Sequence, residues 1–364
     1  MHSHAGLANH APTPNRWPLR FHGRGGEYFR IWIVNLVLSV LTLGIYSAWA
    51  KVRRLKYFYG STELAGSTFD YTAQPMAILK GRLLMIALLA PLYLLSMVHP
   101  VAPLVLAATV WLAMPWIVVR SLSFNLRHTR YRNVAFGFNG RIGDAYLYFL
   151  ALPLLLIPTL GLAWPFVQHQ QRRFITDNVR FGTQQFAMRP AVGAYYMVYL
   201  ISLLSSIGLV VILGLLVGLA GLAFGLSGID YASFQKSPSQ YGFAMAGLAA
   251  MYLLMIGSLA VLGQCTRMMI LNTAWNHTEV ADCRFESKIS LPGYAWALIK
   301  HMPLFVLTLG LAAPWVTIAL ARYRIEHMAV LAPDDLSGFE ADRQQAASAT
   351  GSEAGDLLDV DLAL

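Results

Sequence analysis

Uncharged apolar runs dominate the chain, and they come in two lengths. The long ones are Leu83 to Val119, interrupted near "VHPVAP", Ala191 to Ile229, and Ser237 to Thr266. A helix needs about 20 apolar residues to cross a bilayer, so this pattern predicts two transmembrane hairpins, over 76–128 and 190–277. The shorter runs each stop at Thr-Leu-Gly and restart within a few residues: "LTLGIYSAWAKVRRLKYF", "PTLGLAWPFVQHQQRRF" and "LTLGLAAPWVTIALARY". With Gly44, Gly161 and Gly310 superposed, Ala48, Pro165 and Pro314 coincide, as do Trp49, Phe166 and Trp315. The basic residues Lys56, Arg173 and Arg322 then align, each followed by an aromatic, Tyr57, Phe174 or Tyr323. This is an internal repeat. Glycine closes a helix in the left-handed conformation and proline is favoured at the start of the next, so each unit is predicted as helix, three-residue turn, helix. One kinked transmembrane helix is the competing reading.

A period-two pattern follows the helical segments. "TELAGSTF", "TRYRNVAF" and "TEVADCRF" share threonine and phenylalanine at one spacing, and "VRFGTQQF" keeps the phenylalanine, so short strands or hairpins are expected there. The expected fold class is therefore an all-α polytopic membrane protein with small cytoplasmic β-strand or hairpin elements tying the helical units together. The expected segments are a disordered head (1–20), unit 1 with its β element (21–75), hairpin 1 (76–128) and unit 2 with β elements (129–189). Hairpin 2 (190–277), unit 3 with its β element (278–332) and an acidic disordered tail (333–364) complete the chain.

Composition sharpens the membrane assignment. The chain of 364 residues is 57% hydrophobic and 12% charged, against roughly 25% charged in globular proteins. No apolar core of a cleavable signal peptide is visible in the first thirty residues. The two cysteines, Cys265 and Cys283, have no metal-ligand or disulfide spacing, so no metal and no cofactor is expected. His2, His4 and His10 are better read as part of a disordered start than as a metal site.

The stretch "GGEYFRIWIVNLVLSVLTLGIYSAWAKVRRLKYFYGSTELAGSTFDY" strongly resembles the YjgN-like family of bacterial inner-membrane proteins, whose defining domain is of unknown function. The likeness covers roughly Phe21 to Leu331. It implies a polytopic inner-membrane protein and brings no reaction or substrate. The second and third repeats are more divergent, with Ala312 and Ala313 where the first has Tyr46 and Ser47.

The formal charge of +9 conceals an acidic tail on a strongly basic body. Such a body suits anionic lipid headgroups; nucleic acid is not expected, because the basic residues are spread among membrane segments. Basic loops prefer the cytoplasm. All basic clusters reach one side only if each Thr-Leu-Gly unit dips in and returns while the long hairpins cross, which predicts re-entrant units and cytoplasmic N- and C-termini. Lys51, Arg53 and Arg54 follow the Ala48 restart so closely that a deep tip would strand them, at about 2.5 to 3.5 kcal/mol each at a helix centre. Unit 1 is then either shallow or wet.

The candidate residues follow from this. Lys51, Arg53, Arg54 and Lys56, with Trp49 and Tyr57, form either an interfacial belt or a headgroup site, and Glu63 or Asp70 could neutralise them. Arg120 and Arg267 end the returning helices of the two long hairpins and are expected to hold register, paired with acids such as Asp144 or Glu279. Asn35 and His301, each seven residues after a tyrosine, are intramembrane polar candidates, with Pro153 in the same place of the middle unit. Gly44, Gly161, Gly310, Pro165 and Pro314 are the helix-break residues. Gly214 to Gly218 and Gly221 to Gly225 have GxxxG spacing, explained by close helix packing and compatible with a homo-oligomer. The tail could engage an unidentified protein partner. No catalytic motif is present, so no enzyme is expected. The two roles that remain are a transporter or channel for a small or lipid-like solute, drawn from the broken helices, and a non-transporting scaffold that binds or senses anionic lipid.

Overall fold

Short strands with polar outer positions and apolar inner ones need neighbours on both edges, and here every strand has two. A computed structural model describes residues 15–223 and 238–332. Its strands are β1 (Asn15–Phe21), β2 (Thr62–Leu64), β3 (Ser67–Tyr71), β4 (Thr129–Tyr131), β5 (Val134–Phe138), β6 (Val179–Phe181), β7 (Gln184–Met188), β8 (Thr278–Val280), β9 (Cys283–Ser287) and β10 (Met328–Ala332). Each pairs antiparallel with its sequence neighbours, and β1 pairs with β10, closing a ten-stranded barrel. The expected all-α fold with small β elements is thereby corrected. The four local hairpin signals are real, but strands of three to five residues cannot reveal pairing between hairpins separated by helices. β1 also shows that Asn15 to Arg20, assigned to a disordered head, belong to the barrel wall. The acidic tail, the loop holding Asp230 and Lys236, and Gly225 lie outside the described residues.

Connections alternate between the two barrel ends. At one end are tight turns, including Ala65–Gly66 and Arg132–Asn133, whose positive φ values match the twist of hairpin strands. From the other rim rise five helical hairpins. Unit 1 is α1 (Gly25–Leu41) and α2 (Ser47–Gly60); hairpin 1 is α3 (Pro75–Ser96) and α4 (Ala102–Arg127). Unit 2 starts with α5 (Ile142–Tyr146), continues through a π-turn (Leu147–Ala151) and a 3-10 segment (Leu152–Leu156), and returns as α6 (Trp164–Asp177). Hairpin 2 is α7 (Val192–Ala223) and α8 (Pro238–Asn276); unit 3 is α9 (Leu291–Leu307) and α10 (Ala313–Glu326). Each helix packs on the next, and α10 packs on α1, so the helices close a ring above the barrel.

The barrel is built for water outside and apolar contact inside, the reverse of an outer-membrane barrel. Outward positions pair Arg20 with Glu63, Asp70 with Arg130 and Glu279 with Arg284 across strands. Inward positions carry Phe69, Tyr131, Phe136, Phe181, Phe186 and Phe285, whose rings follow one another at centroid distances of 4.7 to 6.4 Å. Among the described residues, four helices are long and apolar enough to cross a membrane: Pro75–Ser96, Ala102–Arg127, Val192–Leu219 and Ala249–Asn276. Their leucines and isoleucines are largely exposed in the isolated chain, as lipid-facing residues must be.

Candidate functional site

One backbone bond recurs in every hairpin: the residue after the outgoing strand donates to the residue that ends the returning helix. His22 bonds to Ser61, Thr72 to His128, Asn139 to Asn178, Arg189 to His277, and Lys288 to His327, at 2.8 to 2.9 Å. These bonds put the five hairpins in register. Ten residues before each accepting carbonyl stand Lys51, Val118, Gln168, Arg267 and Thr317. Arg267 thus occupies in hairpin 2 the place of Lys51 in unit 1, an equivalence the glycine alignment could not reach.

Around α2 the cations separate. Phe58 stacks near Phe21 (6.0 Å) and meets Tyr28 edge-on (5.1 Å) at the barrel mouth. By helical spacing Ser47, Lys51 and Arg54 share the face of Phe58, whereas Trp49, Arg53 and Lys56 share the opposite one. On that second face the Arg53 guanidinium lies 5.7 Å from the Tyr46 ring, itself stacked on Trp49. Arg120 repeats the arrangement over Trp116 at 5.9 Å. Both match snorkelling cations on an aromatic belt. Tyr57 is structural: its hydroxyl accepts from Arg24 N–H (2.7 Å) and donates to Arg24 C=O (2.9 Å), pinning α2 to the start of α1.

Lys51 instead stands between two other cations, Arg82 of α3 and Arg54 of its own helix. Arg82 donates to Ser47 Oγ, which fixes the guanidinium against the start of α2. Lys51 is half-buried, and burial, then Arg82, then Arg54, push its pKa below the usual lysine value. No acid answers these cations among the described residues. Glu63 bonds His22 at 2.5 Å and Asp70 accepts from Tyr71 N–H, so neither neutralises the cluster. Arg82 stands directly before the apolar run that begins at Leu83, so the cluster lies at the barrel-side edge of that run. Lys51 is thus level with Arg82, in the N-terminal part of the candidate span Pro75–Ser96. Sequence spacing missed Arg82 as a member because the contact joins two different hairpins.

The same junction recurs between α6 and α7 with other chemistry. Trp164 Nε1–H donates to Tyr199 Oη (2.8 Å), and Tyr199 O–H donates to Gln168 Oε1 (2.7 Å). In register, Trp164 stands for Ser47, Gln168 for Lys51 and Tyr199 for Arg82. The neutral junction satisfies itself; the cationic one does not.

The remaining candidates scatter. Arg267 is exposed, and neither it nor Arg120 pairs with an acid among the described residues; Glu279 instead lies 3.7 Å from Arg189. Asn35 is buried with Oδ1 unpartnered, while His301 Nδ1 bonds the Ala297 carbonyl in its own helix. The place of Tyr28 in unit 2 belongs to Ala145, and the place of Asn35 to Leu152, because α5 begins one residue earlier than aromatic spacing implied. Ser202 in α7 takes the same position and bonds Thr266 of α8 at 2.7 Å, a helix-to-helix link. Beside Gly214 and Gly218 nothing lies within 4 Å of an added Cβ, so close packing inside the chain does not explain their spacing.

Comparison with known proteins gives a consistent picture. The family described as "Bacterial protein of unknown function (DUF898)" matches residues 16–357. The "Inner membrane protein YjgN" of Salmonella typhimurium strain LT2 is 26% identical over 360 residues, covering 88% of this chain and 90% of that protein. The protein of the same name from Escherichia coli O157:H7 is 28% identical over 142 residues, 39% of this chain and 36% of that one. No solved structure matches the chain.

Proposed function

We propose, from the premise that this chain belongs to the DUF898 family of bacterial proteins and is an inner-membrane protein, that it is a scaffold that binds anionic lipid headgroups. The observation that carries this reading is the junction of Lys51, Arg54 and Arg82, which gathers three cations without an acid where its counterpart is neutral and self-satisfied. Clustered like charges at a membrane boundary are stable when an anion joins them, and each cation near an anionic leaflet contributes about 1 kcal/mol. Aromatic packing through the barrel interior supports binding over solute passage, since it offers a charged solute nothing to replace its water.

The orientation follows from the same physics. Barrel and basic junctions face the cytoplasm, and with them Asn15 and Ala332, which pair at the far end of the barrel. The Thr-Leu-Gly units are re-entrant. From Ile31 to Leu41 the apolar part of α1 rises about 16 Å, roughly half of the hydrocarbon core.

The test is native mass spectrometry of the full chain, delipidated in detergent and offered phosphatidylglycerol or cardiolipin against phosphatidylethanolamine. Retention of the anionic lipids should fall at least fivefold when Lys51, Arg54 and Arg82 are together changed to Gln, and should hold when Arg53 and Lys56 are. Equal retention of all lipids by the unaltered chain would refute the reading.

A further inference from the structure

At the seam where the helical ring closes, Phe29 of α1, Leu304 and Thr308 at the end of α9, and Leu311, Ala312 and Trp315 beyond the turn line a groove of about 370 Å³. That volume lies within the range of ligand pockets. We infer that the groove seats one acyl chain of a phospholipid whose phosphate is met by Lys300. It stands on the opposite side of unit 1 from the Lys51 junction and does not depend on it.

Three observations carry this. The lining is almost wholly apolar, and its one hydroxyl, Thr308 Oγ1, already donates to the Leu304 carbonyl (2.7 Å) and accepts from Ala312 N–H (3.0 Å). An occupant must therefore be apolar. The walls are rigid, since Phe29 and Trp315 hold each other at 4.8 Å and the turn above is locked by Gly310 N–H on the Phe305 carbonyl (2.8 Å). A preformed slot loses little entropy on filling. Finally, Lys300, Leu304 and Thr308 stand at four-residue spacing on one ridge of α9, which runs along the groove toward the barrel. Lys300 is exposed and has no acid partner among the described residues, so a cation sits one helical turn from the apolar slot, on the barrel side where headgroups lie. A cation at one end and an apolar trough at the other is the chemistry of a phospholipid.

The experiment uses the full chain in lipid nanodiscs containing phosphatidylglycerol with a mid-chain diazirine, irradiated and mapped by mass spectrometry. Crosslinks should concentrate on the peptides holding Phe29 and Leu304 to Trp315, at least fivefold above those on the lipid-exposed stretch Leu84 to Leu94 of α3. Leu304→Trp or Leu311→Trp, which fill the groove from exposed positions, should remove the excess without lowering the melting temperature; two variants guard against a folding defect in one. Lys300→Gln should reduce the excess about threefold for phosphatidylglycerol. Uniform labelling of all apolar helices would mean annular lipid only and overturn the inference. So would an excess unchanged in both tryptophan variants.

Discussion

His169 on α6, 1% exposed, shows how one side chain can carry a junction between hairpins. Its Nε2 accepts the Ala191 N–H (3.1 Å) at the start of α7, and its ring meets Tyr195 edge-on at 5.2 Å. An unprotonated Nε2 is required for that bond. Burial, with Arg173 and then His277 beside it and only Asp177 opposing, holds the His169 pKa below its usual value. The unfolded chain, with a histidine near 6.5, then takes up a proton first as pH falls. The stabilising contribution is complete above about pH 6.5 and is lost on acidification toward the lower folded pKa. His169→Phe should remove the acceptor, leave a buried N–H unpaired and cost about 1 to 3 kcal/mol at pH 8. Thermal melts between pH 8 and 5 should show a decline in the unaltered chain that the variant lacks; parallel declines would refute the assignment. The residue was legible only as a member of "QHQQRR", since nothing local marks the partner backbone it meets.

The Thr-Leu-Gly turn is the element that sequence described best and still incompletely. Glycine was expected to stop each helix, and Gly44, Gly161 and Gly310 do have φ near 90°. The leucine before each glycine is also left-handed, with φ of 48 to 49°, although its Cβ makes that conformation costly by roughly 1 to 2 kcal/mol. Threonine compensates by bonding both sides of the break: Thr42 donates to the Leu38 carbonyl (2.7 Å) and accepts from Tyr46 N–H (2.9 Å). Thr159 and Thr308 repeat both bonds. Leu43, Leu160 and Leu309 are 95%, 93% and 94% exposed, so their side chains gain nothing from the protein. Burial in hydrocarbon would return about 1.5 to 3 kcal/mol each, which explains why asparagine or glycine does not stand there. Leu160→Asn or Leu309→Asn should therefore lower the melting temperature in nanodiscs. In a water-exposed turn the same change would raise it, because asparagine tolerates this backbone better, so the sign of the shift decides whether the tips enter lipid.

At the scale of the molecule, five strand-and-helix repeats close two rings at once, the barrel through β1 and β10 and the helices through α1 and α10. Helical units and hairpin turns were legible because threonine, glycine and phenylalanine act locally. Closure was not, since it joins residues some three hundred positions apart, and Pro18 within "NRWPLRF" argues against a strand unless the pairing is known. The seam nevertheless has a sensitive point. A Cβ on Gly25 would lie 2.4 Å from Trp315 Cδ1, whereas one on the adjacent Gly26 would meet nothing within 4 Å. Both stand in the first turn of α1, so helix propensity treats them alike. Gly25→Ala should then cost about 1 to 3 kcal/mol through overpacking, while Gly26→Ala should be neutral or slightly stabilising. Because α1 leads directly from β1, the strain should also loosen the joined chain ends, read as faster proteolysis between β1 and α1 in the first variant alone. Equal melting temperatures and equal cleavage in the two variants would mean that the ring does not depend on this contact, and that β1 holds the barrel shut without help from the helices above it.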